Sequence, residues 1–396
     1  MNFKIKKLII FISIVSVLTF DFQVKFLYDG SVYLNDLLLP IVFISYLKSK
    51  SFKKWHILAF IIIPLYLILN LLFNIIGSID SFLRDSQYLV RTSYPLLLLA
   101  IVLDSDKRLG GNHLKAYAIR IFRKGVFILS IIGIIAFLLL IVGIDIFPYT
   151  SGRVWLNSRQ LSSIFSEPAL YGQMVTAYFF ISYNNLGDLK KDIYRVLIIG
   201  VCLLFCQSAG AIFSIFVFIT YLAFKEGNGI KVLKKIVLVI SIIATTVYLT
   251  LSYLPKARIL SLLQPQSVEL DRSGEIRVAN EFESMQEFFK TDVITVLFGL
   301  KNTDSNEFRV DRVDPLMGDI VGNGLVEITL RYGLVYILLI SLLFYKLIPK
   351  GSYFKFLIFF MLIVQIDGAI GKPWIWFYIV MFIISTKNEN IFNNQS

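Results

Sequence analysis

Apolar residues along this chain come in continuous runs separated by short polar and basic segments. Stretches such as Leu8 to Phe20 and Gly125 to Gly143 hold no polar alternation. They therefore lack the period-two pattern that the strands of a membrane barrel require. Each run is near the length a helix needs to cross a bilayer. The pattern predicts spans near residues 8–20, 33–47, 55–76, 89–103, 125–144, 167–183, 196–208, 211–224, 236–253, 321–343, 356–366 and 374–385. The expected fold is an all-α polytopic membrane protein with about 12 transmembrane helices.

Between the runs, basic residues alternate in density. With the N-terminus inside, one set of loops holds Lys48, Lys50, Lys53 and Lys54, then Lys107, Arg108, Lys115, Arg120, Arg123 and Lys124, then Lys190, Lys191 and Arg195. The same side takes Lys225, Lys231, Lys234 and Lys235, and later Lys346, Lys350 and Lys355. The opposite loops hold chiefly Lys25, Arg84, Arg153, Arg159 and Lys372. Basic residues are retained on the cytoplasmic side, so both termini are expected inside.

The chain then divides into helices one to nine over 1–253, a large outer-face loop over 254–320, and helices ten to twelve with a cytoplasmic tail over 321–396. The loop is too polar to span and too long for a simple connection, the kind of segment that carries function. Within it Val278, Phe282, Met285, Phe289 and Val293 recur at three- and four-residue steps, predicting a helix with one apolar stripe. Short runs on either side of Gln207-Ser208-Ala209-Gly210 predict two helices meeting in a tight turn inside protein. No internal repeat is visible, so nothing points to an inverted-repeat transporter.

Composition agrees with this picture: 57% of the 396 residues are hydrophobic and 17% charged. The net charge of +12 could mark a nucleic-acid binder, but its residues sit in the loops and report topology instead. Cys202 and Cys206 stand four apart in one run and read as small core residues, with no disulfide framework or metal motif. Lys4, Lys6 and Lys7 precede the first run as in a secretory signal. The run ends at Asp21-Phe22-Gln23 without a small-residue cleavage site, so it is read as an uncleaved first span.

Candidate chemistry gathers on the outer side, in Arg159-Gln-Leu-Ser-Ser-Ile-Phe-Ser166-Glu167-Pro168-Ala-Leu-Tyr171-Gly172. Two readings stand for Arg153 and Arg159: an ion pair or headgroup contact, or a planar fork of donors for phosphate oxygens. Ser166, Glu167 and Pro168 fit a helix N-terminus as cap, dipole partner and first-turn proline. The convergence of a carboxylate, an arginine and Tyr171 at one membrane boundary also fits a site. Arg272 and Arg277 in the large loop read, taken alone, as a solvated helix face. Glu327 and Arg331 are spaced for an intrahelical ion pair, with a cavity-lining role for Arg331 equally open. Asp367, in the outer turn after Gln365, is a further acidic group there.

These residues resemble a family. An arginine followed by Phe-Ser-Glu-Pro and then Tyr-Gly at the start of a middle span is similar to Wzy-type polysaccharide repeat-unit polymerases. Gly322-Asn323-Gly324-Leu-Val-Glu-Ile-Thr-Leu-Arg331-Tyr-Gly333-Leu resembles the signature of the wider O-antigen polymerase and ligase superfamily. Ligases of that superfamily usually carry a histidine before the asparagine, where this chain has Gly322. Its two histidines, His56 and His113, fall on the expected cytoplasmic side, which favours polymerase over ligase.

The resemblance implies a GT-C-like fold and transfer of a growing glycan from an undecaprenyl diphosphate carrier onto a new lipid-linked repeat unit at the outer face of the inner membrane. The leaving diphosphate needs fixed positive charge, for which Arg159, Arg272 and Arg277 are the candidates, with Arg153 and Arg331 behind them. Tyr171 and Asn323 join them as substrate-binding candidates. Glu167 is the candidate general base. No acidic cluster of the kind that holds a divalent cation occurs on the expected outer face, so no metal or other cofactor is expected. The expected partners are lipid-linked oligosaccharide as donor and acceptor, membrane lipid and a chain-length regulator protein, with no nucleic acid. The competing class is a flippase for the same lipid-linked oligosaccharides. Flippases would place ionisable residues within several spans, whereas here the charges crowd at the outer mouth.

Overall fold

The computed structural model describes residues 3–19, 34–47, 53–74, 79–108, 112–144, 146, 154–155, 158–159, 161, 163, 165, 168–206, 208–227, 234, 284–299, 324–366 and 373–387. Every predicted span except 236–253, which lies outside the described residues, falls on a helix. They are α1 (Phe3–Leu18), α2 (Leu34–Leu47), α3 (Lys54–Ile57), α4 (Ile63–Asn74), α5 (Ile79–Arg108), α6 (His113–Ile141), α7 (Pro168–Ser182), α8 (Leu186–Lys191), α9 (Ile193–Cys206) and α10 (Ala209–Glu226). After them come α11 (Val293–Phe298), α12 (Gly324–Leu347), α13 (Tyr353–Ile366) and α14 (Pro373–Thr386). A π-helical turn at Leu58–Ile62 joins α3 to α4. Two short strands, β1 (Val154–Trp155) and β2 (Ser158–Arg159), pair antiparallel with Val154 opposite Arg159.

Two of these helices have the length and apolarity of a membrane crossing, His113–Leu140 and Gly324–Leu347. Other helices are apolar but shorter, among them Ile193–Cys206 and Trp374–Thr386. Hydroxyl groups inside the apolar helices turn back on their own backbone. Ser13 bonds to the Ile9 carbonyl, Ser45 to Ile41, Ser130 to Val126, Thr176 to Gly172, Ser214 to Gly210 and Thr329 to Leu325. Such back-bonding hides polarity where no water is at hand.

The chain forms two compact units. One comprises Met1–Val17, Val32–Ile119 and Ser273–Ser396; the other comprises Leu18–Ser31 and Arg120–Arg272. In the first, the second half of α5 and the whole of α14 form the core: Leu96–Leu103 and Trp374–Ile384 are buried on every side. Packed on α5 are α2, α4 and α14. The carboxylate of Asp106, at the C-terminal end of α5, accepts from the Leu114 and Lys115 amides at 2.7 and 2.9 Å, meeting two of the unbonded N–H groups that open α6. Next to it, Asp104 pairs with Lys53 at 2.6 Å. Lys387, just past α14, is held near Lys53 and Lys115; burial first, then these two ammonium groups, lower its pKa to about 8.

In the second unit the core helix is α7, buried from Leu170 to Ile181 and packed on α9 and α10. Its C-terminal end meets a polar network. Arg123 pairs with Asp192 at 2.6 Å, Tyr183 donates to the same carboxylate at 3.0 Å, and the Tyr178 and Tyr183 hydroxyls are 3.0 Å apart. Cys202 and Cys206 are both buried and unbridged, as their spacing predicts.

Helices outside these cores present large apolar side chains outward. Leu37, Ile128, Leu138, Leu197, Phe213, Leu338 and Phe354 are each more than half exposed. The two units thus carry apolar residues inside and outside alike.

Candidate functional site

The segment that opens α7 is anchored in the second unit by backbone and side chain together. The Leu161 amide donates to the Phe205 carbonyl at 2.9 Å, satisfying a group left open in the last turn of α9. Ser163 takes a left-handed conformation, at φ +56°, and its hydroxyl donates to the Leu129 carbonyl of α6 at 2.8 Å. Leu161, Ser163 and Phe165 are all buried. These three residues reach into the unit, and a left-handed residue other than glycine persists only where its surroundings hold it.

Tyr171, one turn into α7, is fully buried, and its hydroxyl donates to Ser130 Oγ at 2.8 Å. Its ring lies 6.4 Å from that of Phe165. Cys202 donates to the carbonyl of the same Ser130 at 3.3 Å. Tyr171 therefore ties α7 to α6 from within the bundle. The residue pattern of α7 gives no hint of this inward direction, because that helix is buried on all faces, its polar Gln173 and Thr176 included.

Arg159 lies in β2 opposite Val154, so the predicted outer connection between α6 and α7 contains a hairpin rather than plain loop. Arg153, Glu167, Arg272, Arg277, Asn323 and Asp367 lie outside the described residues.

The remaining candidate, Arg331, is in the first unit. It pairs with Glu327 at 3.1 Å, as the four-residue spacing predicts, and both side chains are about four-fifths covered. The helix that carries them is broken two residues on. Gly333 has φ +72° and ψ 179°, and Gly299, just past α11, has φ +86°. Here the backbones touch: a Cβ on Gly299 would strike the Arg331 carbonyl, and one on Gly333 would strike the Leu297 carbonyl. Both residues need the left-handed region and the missing side chain at once. The sequence marks Gly333 only as part of a signature; the break itself is not legible there.

The apolar stripe predicted through Val293 is corrected by the structure. Helix over 284–290 stops at Thr291, and Asp292 caps a new helix by accepting from the Thr295 amide at 3.0 Å and the Thr295 hydroxyl at 2.6 Å. Those bonds hold the Asp292 carboxyl below its ordinary pKa. Phe288 is the buried large apolar residue, while Phe289 and Val293 are exposed; Val278 and Phe282 lie outside the described residues. A local capping bond thus outweighs the continuation of the stripe.

Among the described residues no three His, Cys, Asp or Glu side chains gather closely enough to hold a metal ion. The fold defines a helical protein with two helices of membrane-crossing length and a braced segment opening its second core helix. No protein-family model matches the chain, nor does any curated protein or solved structure.

Proposed function

We propose that this chain is a membrane glycosyltransferase that polymerises lipid-linked oligosaccharide repeat units at the outer face of the cytoplasmic membrane. The observation that carries this reading is the set of contacts made by Leu161, Ser163 and Tyr171, which flank Glu167 in the sequence. These residues are buried and hydrogen-bonded to α6 and α9, and Glu167 lies between them in the sequence, directly before α7. Fixed geometry is what a general base needs and what a simple connecting loop does not. The outward apolar residues of both units support the bilayer setting, since a water-exposed surface of that kind would aggregate. The expected twelve spans rest on the apolar runs, and their orientation with both termini inside on the basic-loop asymmetry.

In this reading Glu167 takes the proton from a hydroxyl of the incoming repeat unit. The freed oxygen attacks the anomeric carbon of the growing glycan, and the bond from that carbon to the carrier diphosphate breaks, its electrons leaving with the diphosphate. Arg159, Arg272 and Arg277 are the leading candidates to stabilise that anion, with Arg153 and Arg331 behind them. Asn323 binds substrate, and Tyr171 acts by holding the segment in place. No metal is required, and activity in excess chelator is the corresponding expectation.

Deleting the gene and resolving the surface glycan on a gel tests the proposal. The expected result is collapse of the ladder to a single repeat unit attached to its final acceptor, restored by the native gene and not by Arg159→Ala. Glu167→Gln should lower polymer formation on the order of a hundredfold, the usual contribution of a general base. Loss of even the single-unit product, with repeat units stranded on the lipid carrier, would instead indicate a flippase or ligase.

A further inference from the structure

Two side chains of α4 reach the place where α11 meets the break in α12. Tyr66 donates its hydroxyl to the Tyr332 carbonyl at 2.5 Å, and Asn70 donates its amide to the Phe298 carbonyl at 2.8 Å. Residues four apart share a helix face, so one face of α4 serves both ends. The two acceptors are the last carbonyls before Gly333 and Gly299, the groups that a helix leaves open where it stops. In an apolar setting an unmet carbonyl is expensive, and these donors meet it. The Tyr66 ring also stacks at 5.8 Å from Tyr336 and 6.5 Å from Phe298.

Arg331 sits at the centre of this arrangement. Its own carbonyl lies against Gly299, the next carbonyl along accepts from Tyr66, and its side chain pairs with Glu327 one turn back. The last turn before the break is therefore fixed at its backbone from two directions.

We infer that Tyr66 and Asn70 are positioning residues for Arg331, clamping the helix break so that the guanidinium is presented to an anionic diphosphate in one orientation. The role rests on the function proposed above. A guanidinium binds phosphate oxygens through a planar fork, so its orientation affects binding where a point charge would be indifferent.

The test is a double-mutant cycle on the full chain reconstituted with lipid-linked repeat units, reading kcat/KM for elongation. Tyr66→Phe keeps the ring and removes only the donated bond. It is expected to lower kcat/KM roughly fivefold in the native background and to change it little in an Arg331→Lys background, where the fork is already gone. Asn70→Ala, which leaves the Tyr66 bond in place, should show the same dependence and serves if Tyr66→Phe folds poorly. Equal losses in both backgrounds would reduce the clamp to general stability and overturn the inference, as would no loss in the native background. If the unsubstituted chain elongates nothing, the proposed function itself fails, an outcome distinct from a working enzyme with additive losses.

Discussion

Lys387 illustrates how a single residue in this chain can carry an electrostatic cost. Its pKa of about 8, against the ordinary 10.5, means that the folded state holds the proton less tightly than the unfolded state. Below pH 8 both states are protonated and the penalty is constant. Between about 8 and 10.5 the unfolded state alone keeps its proton, so this residue makes stability rise with pH across that window. Lys387→Met should accordingly raise the unfolding temperature at pH 7 and flatten its rise between pH 8 and 10; thermal scans in detergent would read both. At the same scale, the sequence makes local pairings legible and directions illegible. The Glu327–Arg331 pair and the buried cysteines follow from four-residue spacing. The inward turn of the Tyr171 hydroxyl toward Ser130 does not, because a helix buried all round has no polar face to orient it.

Helices were legible because apolar runs are long and continuous, while their ends and breaks were not. The run of α6 is predicted from residue 125, yet the helix begins at His113, since Asp106 caps it and its first turns, with Arg120, Arg123 and Lys124, are helical despite their charge. The breaks at Asp292 and Gly333 are set by one capping carboxylate and by two backbones in contact, neither of which has a periodic signature. Polar networks between elements are equally hidden. Asp192 precedes α9 and links Arg123 of α6 with Tyr183 beyond α7, though the sequence offers it only as a charge among loop lysines. Asp192 is 8% exposed, so Asp192→Asn would leave Arg123 largely covered and without its carboxylate. The expected loss is about 2 kcal/mol, the range for a hydrogen bond to a charged group, measurable as a lower denaturation midpoint with the helix content of the folded state unchanged.

For the whole molecule, what unites the two units is the inversion of surface chemistry. Their cores, built on α5 with α14 and on α7, are apolar, and so are the outward faces of α2, α6, α9, α10, α12 and α13. A chain of this kind is consistent with lipid around it. The candidate site was legible as a list of residue types along the sequence; the contacts of Leu161, Ser163 and Tyr171 were not, because they reach helices far away in the chain.

The most direct measurement is elongation by the purified full chain in liposomes supplied with one lipid-linked repeat unit and excess chelator. The account predicts a ladder of lengthening glycans with one lipid diphosphate freed for each unit added. Movement of the lipid-linked unit across the bilayer without any change in glycan length would contradict it.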